Sequence, residues 1–431
     1  MPKNSLWFPF ETRHARPYPG KPVIRCAYVG NAYFAVCDLD GVTVWCDLSS
    51  SPRVLFRGET GHTTSLVGHA ADPVLATGGV DGSVSLWFLE TARDSARATR
   101  ADAEADRLAR WHTKAVSALA FDKESRLWSA SLDGTVGCWE LDGALLRQVC
   151  QPWAAPPAPN AQFPPLRGAL YTGTALLVWG ESGLFQLDST RDDVSGAALG
   201  TRGVQVFGVS AGKSVTCFQT SNGVEVLHPR LMHPCVMATE KACAVVLQAD
   251  EKAFVTVHPT SGLAKTWVFG DSGLPSQTFN QNAATASLRA RDPYPRAHPS
   301  RPLVLGATLE GRPALLSLDT GVVESVRGLS HTVHRVEWAA DGGACAAVSS
   351  RGDVTFFGPA APAVPPATPD VIVIDDDQAR AERDQAYAER DRAFAERDRA
   401  FADRQQAAKR VHTALQETLE VLNGWSARSP A

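Results

Sequence analysis

The sequence has few of the features that mark a membrane protein, a metalloprotein or a polyanion binder. No stretch approaches the ~20 apolar residues needed to span a bilayer. The opening segment, MPKNSLWFPFETRHARPYPG, has no long apolar core of the kind a secretory signal carries. The formal net charge is −4 over 431 residues, with no basic tract. Neither direct nucleic-acid binding nor membrane binding is expected from this balance. The nine cysteines include no CxxC pair, so the spacing of a zinc site is missing. Cys26, Cys37, Cys46, Cys138, Cys217 and Cys243 fall mostly inside apolar runs. Read as buried, reduced thiols, they fit an intracellular protein, nuclear or cytoplasmic. HxH and HExxH pairs, a P-loop and a dinucleotide-binding glycine fingerprint are missing too. His331 and His334 stand close together, but two histidines entering one strand read as structural. No cofactor and no metal are expected.

What is present is a β pattern. Before residue ~360, short runs of Val, Leu, Trp, Phe and Thr recur roughly every 8–12 residues, separated by Gly, Asp, Asn or Ser turns. The runs group again at a period of about 40 residues. Two units are clear: VLATGGVDGSVSLW (74–87) and LWSASLDGTVGCW (127–139). Asp81 and Asp133 each precede a glycine and stand six residues before Trp87 and Trp139. Thr77 and Ser129 stand four residues before the aspartates, and His62 and His112 lie upstream.

These units resemble the repeats of the WD40 family. There the His, the Ser or Thr, the turn Asp and the Trp commonly form one hydrogen-bonded set inside a blade. The resemblance implies an all-β, WD40-like β-propeller. It assigns His62, Thr77, Asp81 and Trp87 to one structural set, with His69 competing for the place of His62. His112, Ser129, Asp133 and Trp139 form a second. A constellation that occurs twice at one spacing reads as architecture rather than catalysis, and such a buried polar chain stabilises only if every member is satisfied.

Degenerate units surround the clear ones. Residues 32–47 contain Asp40-Gly41, with Trp45 one residue early. His331 opens a unit with Arg351 in the Asp place and Phe357 in the Trp place. Weaker units lie at 166–188, 204–228, 238–270 and 301–328. That makes eight candidates. Seven blades is the expected outcome, eight the alternative, with 238–270 the weakest unit. The last unit has no outer strand of its own before Pro-rich sequence begins. Ring closure therefore calls for residues 6–10 or a nearby N-terminal strand. Segments 92–110, 151–165 and 271–302 read as insertions or loops.

Residues 1–358 are thus assigned to the propeller, and composition changes at Pro359. Residues 359–375 read as a flexible, Pro-rich linker running into the acidic VIVIDDD motif. Val371, Ile372, Val373 and Ile374, followed by Asp375, Asp376 and Asp377, resemble a SUMO-interaction motif, which acts by adding a strand to a sheet edge. The other reading docks 371–374 on the propeller and leaves the aspartates at a helix N-terminus. Residues 376–423 carry a seven-residue repeat, AERDRAF in its clearest copies, and read as a charged helix and candidate coiled coil. Tyr387, Phe394 and Phe401 form a single narrow stripe, unlike a paired coiled-coil seam. Val411, Leu415, Leu419 and Leu422 share one helix face and are the candidate self-association residues. Asn423-Gly424 should stop the helix, leaving 424–431 disordered.

The function expected from these features is a non-catalytic scaffold or adaptor that binds proteins or peptides and self-associates through its tail as a homodimer. The alternatives are a chromatin-associated or SUMO-linked nuclear regulatory factor, and an enzyme built on a propeller.

Overall fold

The computed structural model describes most residues between 10 and 359. The longer omitted stretches are 16–22, 90–101, 157–163, 238–243, 281–294 and 326–331. The chain divides into two units, 1–362 and 363–431. The second lies outside the described residues. So do the expectations that fall on it: the VIVIDDD motif, the charged helix and its self-association face.

The described strands form eight sheets, taken as blades 1 to 8 in chain order and antiparallel except where Asp102–Ala103 adds parallel to the outer strand of blade 1. They span 25–59, 63–110, 116–154, 166–199, 206–237, 244–280, 296–325 and 333–359. Each begins with an inner strand that packs on the inner strands of its two neighbours, and blade 8 packs back on blade 1. The ring closes without a free inner edge. Its last outer strand comes from the N-terminus: Phe10–Ala15 pairs antiparallel with Val354–Pro359, from Phe10 opposite Pro359 to Ala15 opposite Val354.

Seven blades gives way here to eight, because residues 244–280 form a complete four-stranded sheet. That blade has no Asp-Gly turn to announce it. Its inner strands, Ala244–Leu247 and Ala253–Val257, are nonetheless buried throughout.

The second and third strands of each blade face a neighbouring blade on both sides. Their sequences therefore run apolar without alternation, as in YFAVC (33–37), PALLS (313–317) and CAAVS (345–349), every residue of which is buried. The apolar core is not one mass but a cluster at each seam. Leu75 and Trp87 meet Val29 and Val44 between blades 1 and 2. Phe356 and Ala346 meet Phe34 and Trp45 between blades 8 and 1. Phe254 and Val245 meet Val224 and Cys217 between blades 5 and 6. Each such side chain contributes about 1.5–3 kcal/mol on burial, so the ring is held at every seam at once.

The cysteines follow the same logic. Cys37, Cys46, Cys138, Cys217 and Cys345 are buried thiols. Burial pushes the Cys37 thiol up to about 12, so it stays protonated and unreactive.

Candidate functional site

The upper end of the ring carries the turns between second and third strands and the starts of the inner strands. Both predicted polar sets lie there. In blade 3 the chain of bonds is complete. Trp139 Nε1 donates to Ser129 Oγ at 2.8 Å, and Ser129 Oγ lies 2.7 Å from His112 Nε2. His112 Nδ1 lies 3.0 Å from Thr135 Oγ1, which donates to Asp133 Oδ1 at 2.5 Å. His112 Nδ1 and Asp133 Oδ2 are 3.7 Å apart, so Thr135 bridges them. One proton arrangement satisfies every member: Ser129 donates to Nε2, and Nδ1–H donates to Thr135. Burial alone would raise the Asp133 carboxyl. Bonds from His112, Thr135 and the Thr113 and Thr135 amides outweigh it and hold the group well below the usual carboxylate range.

In blade 2 the described residues show part of the set. Trp87 Nε1 donates to Thr77 Oγ1 at 3.1 Å, and Asp81 Oδ1 accepts from the amide and hydroxyl of Ser83. His62 is exposed. Its carbonyl accepts from Val80 N–H at 2.9 Å, as the Ala115 carbonyl accepts from Leu132 in blade 3. By that register His62 stands where blade 3 has Ala115, three residues past His112. His69 lies at the opposite end, where its Nδ1 accepts from the turn amides of Ala71 and Asp72. The Asp81-Gly82 turn presses on the next blade: a Cβ on Gly82, at φ +81°, would lie 2.1 Å from the His112 carbonyl oxygen.

Blade 6 repeats the tryptophan bond. Trp267 Nε1 donates to Thr256 Oγ1 at 3.0 Å. The pair was legible as a hydroxyl preceding a tryptophan, at one residue more than the spacing in blades 2 and 3.

The mouth of the channel has a second repeated feature that sequence reasoning missed. The inner strands of blades 2, 3, 4, 5 and 8 each shift register after their first residue. The first residues, Thr63, Val116, Leu166, Val206 and Val333, are buried in the seams. The bulged residues Thr64, Ser117, Arg167, Phe207 and His334 are not. A bulge re-aims a side chain, and both faces of an inner strand are covered by neighbouring blades. An exposed bulge residue therefore faces the channel mouth. Phe207 is 48% exposed, the one large apolar side chain so exposed on an inner strand among the described residues. Arg167, at the matching position of blade 4, is 49% exposed and its Nη2 donates to Glu181 at 2.6 Å. Thr64 Oγ1 instead reaches across the seam to the Val116 carbonyl at 2.7 Å.

The lower end holds a hollow of about 510 Å³ between blades 5 and 6. Glu251 lines it in a left-handed conformation, φ 60°. Its carboxylate accepts from the amides of Lys213, Ser214 and Val215 and from the Ser214 hydroxyl, and so ties the two blades together.

One pattern bears on the enzyme alternative. Gly208-Val-Ser210-Ala-Gly212 has GxSxG spacing, a pattern the sequence reading passes over when it counts such motifs as missing. The nucleophile turn of that motif joins a strand to a helix. Ser210 lies inside the strand Val206–Ala211, and its hydroxyl accepts from the Leu247 amide of blade 6 at 2.8 Å. Its role in this fold is to join two blades. Among the described residues no three His, Cys, Asp or Glu side chains converge as metal ligands.

No protein-family model and no curated protein matches the chain. Solved structures do. The chain is similar to the computationally designed Ika8 protein, at 15% identity and TM-score 0.59 over 79% of this chain and 96% of that one. It is similar to the Dos1 propeller at 12% identity and TM-score 0.58, over 80% and 94%. A third likeness is to the β-propeller domain of Cps50 (Swd1) from Myceliophteria thermophila, at 15% identity and TM-score 0.49 over 70% and 97%. At these identities the likenesses to Ika8 and to the Dos1 propeller are of fold alone, and the eight sheets of this chain make that fold an eight-bladed β-propeller.

Proposed function

We propose that the chain is a non-catalytic binding scaffold that takes a segment of another protein at the upper mouth of its channel. The observation that carries this reading is the bulge ring, with an exposed aromatic, Phe207, beside an exposed guanidinium, Arg167. Exposed apolar side chains within a concave, polar-rimmed site are the usual anchors of recognition. The Arg167–Glu181 pair is largely exposed and so adds little to stability. It is free to be exchanged for a partner carboxylate. The test is quantitative affinity purification from cells with the full chain and with a Phe207→Ser/Arg167→Glu variant. The reading requires partners that the variant loses while its melting temperature is unchanged. Equal recovery of every partner by the variant overturns it.

Two finer parts of the proposal rest on sequence. Residues 371–377 are assigned to SUMO binding by strand addition; NMR titration of SUMO that shows no shift changes removes that part. Val411, Leu415, Leu419 and Leu422 are assigned to self-association. Sedimentation of a 370–431 peptide as a pure monomer at high concentration removes that one. A homodimer would present two channel mouths at once and raise avidity without new contacts. The buried thiols and the SUMO-like motif support an intracellular, nuclear or cytoplasmic setting, and the motif is the feature that favours a SUMO-linked regulatory role.

A further inference from the structure

Blades 2 and 7 carry matching corners at the lower end, in GHAADPV (68–74) and AHPSRPL (297–303). His69 N–H donates to the Val74 carbonyl and His298 N–H to the Leu303 carbonyl, both at 2.8 Å. Each ring caps the turn it begins. His69 Nδ1 accepts from Ala71 and Asp72 at 3.3 and 2.8 Å; His298 Nδ1 accepts from Ser300 and Arg301 at 3.1 and 3.0 Å. Each ring also meets, edge to face, the aromatic that ends the next inner strand: Phe121 at 4.9 Å and Trp338 at 4.6 Å between centroids. His298 makes one bond more. Its Nε2 lies 3.0 Å from the Gly342 carbonyl of blade 8. Since Nδ1 accepts, Nε2 carries the proton and donates. The neutral Nε2–H tautomer is the form that satisfies all three contacts.

We propose that the seam between blades 7 and 8 is an acid-sensitive joint, with His298 as its sensor. A second proton must go on Nδ1, where it meets the N–H groups of Ser300 and Arg301 head-on. The cap is then lost and the corner 298–302 loosens from blade 8. The charged groups facing the ring are Arg301 on its own turn and Asp341 on the blade 8 turn. Beyond them Arg296 and Glu337, on the two inner strands, pair at 3.4 Å.

Burial lowers the His298 pKa, the Gly342 bond raises it, Arg301 lowers it and Asp341 raises it; the balance lies below an ordinary histidine. A pKa lowered on folding contributes stability above the unfolded value of about 6.5, and that stability drains away as pH falls from there through the folded value. Among the described residues the inner strand of blade 7 is only Arg296–Ala297. Blade 8 is also the blade completed by the N-terminal strand, so loosening this seam acts on the closure of the ring.

The test is hydrogen exchange of the full chain from pH 7.5 to 5.5, corrected for intrinsic exchange. The opening of amides in 296–303 and 333–338 should rise by up to about tenfold per pH unit below ~6.5, while blades 3 and 4 stay unchanged. In His298→Asn the amide oxygen can still cap the turn but cannot titrate, and the rise should vanish. A flat wild-type profile, or the same rise in His298→Asn, overturns the proposal. Ring 15N shifts of wild-type protein give a reading independent of the variant's folding. The Nε2–H tautomer held neutral below pH 6 is expected, and a ring that titrates at or above ~6.5 overturns the proposal.

Discussion

At the scale of single residues, blade 3 shows why the His, Ser, Asp and Trp recur together. Each member satisfies the one before it, and Thr135 completes the path to Asp133. Removing one member strands the rest. Ser129→Ala would leave the Trp139 and His112 ring nitrogens facing each other across a buried gap, and should cost about 2–3 kcal/mol in urea unfolding. His62→Ala, by contrast, should stay within about 0.5 kcal/mol, because that side chain is exposed. A loss at His62 equal to that at Ser129 would mean that the blade 2 set is assembled after all.

The residues Ser129, Asp133 and Trp139 were legible because the hairpin between them has a fixed length. The histidine was not, because it arrives through a loop whose length varies between blades. Of the two histidines read upstream of the Asp-Gly turns, His112 joins its set and His62 does not. Thr135 was overlooked although it stands two residues past Asp133, as Ser83 stands two past Asp81. A small hydroxyl after Asp-Gly is the signal that marks it.

At the scale of strands, what the sequence displayed best was the third-strand tryptophan and the Asp-Gly turn. Blade 6 lacks the turn and was the weakest unit on paper, yet it packs fully. Its Thr256–Trp267 bond predicts that Thr256→Val costs about 1 kcal/mol; no change in unfolding midpoint would place Trp267 outside a packed seam. The closing strand was anticipated in kind. Residues 10–15 form it, and deletion of residues 1–22 should lower the melting temperature by roughly 5–10 °C, on the scale of a few kcal/mol. An unchanged melting temperature would contradict the closure.

The seams differ in how acid reaches them. Burial would raise Glu251, but hydrogen bonds from Ser214, Lys213 and Val215 outweigh it and lower the group below its ordinary 4.5. The stability it contributes is complete above that pH and drains away only as pH falls below it. The tie that Glu251 makes to the 213–215 turn should therefore hold through the range in which His298 loosens blades 7 and 8. Exchange data that show the 213–215 amides opening first, between pH 6.5 and 5.5, would reverse that order.

For the whole molecule, the propeller architecture was readable from two good repeats and six poor ones, because the closed ring forces every unit to the same form. The binding mouth was not readable. A β-bulge is a property of strand register, and nothing in the residues Thr64, Ser117, Arg167, Phe207 and His334 announces that they occupy one equivalent position. Only the paired register of neighbouring strands brings them together. The proposed binding function requires that partners engage this upper mouth. It is tested most directly by placing a photo-crosslinking phenylalanine analogue at Phe207 and, separately, at Met232, which is 94% exposed at the lower end. Adducts with partner proteins from position 207 and not from 232 are predicted. Adducts from 232 alone, or equally from both, would contradict the claim.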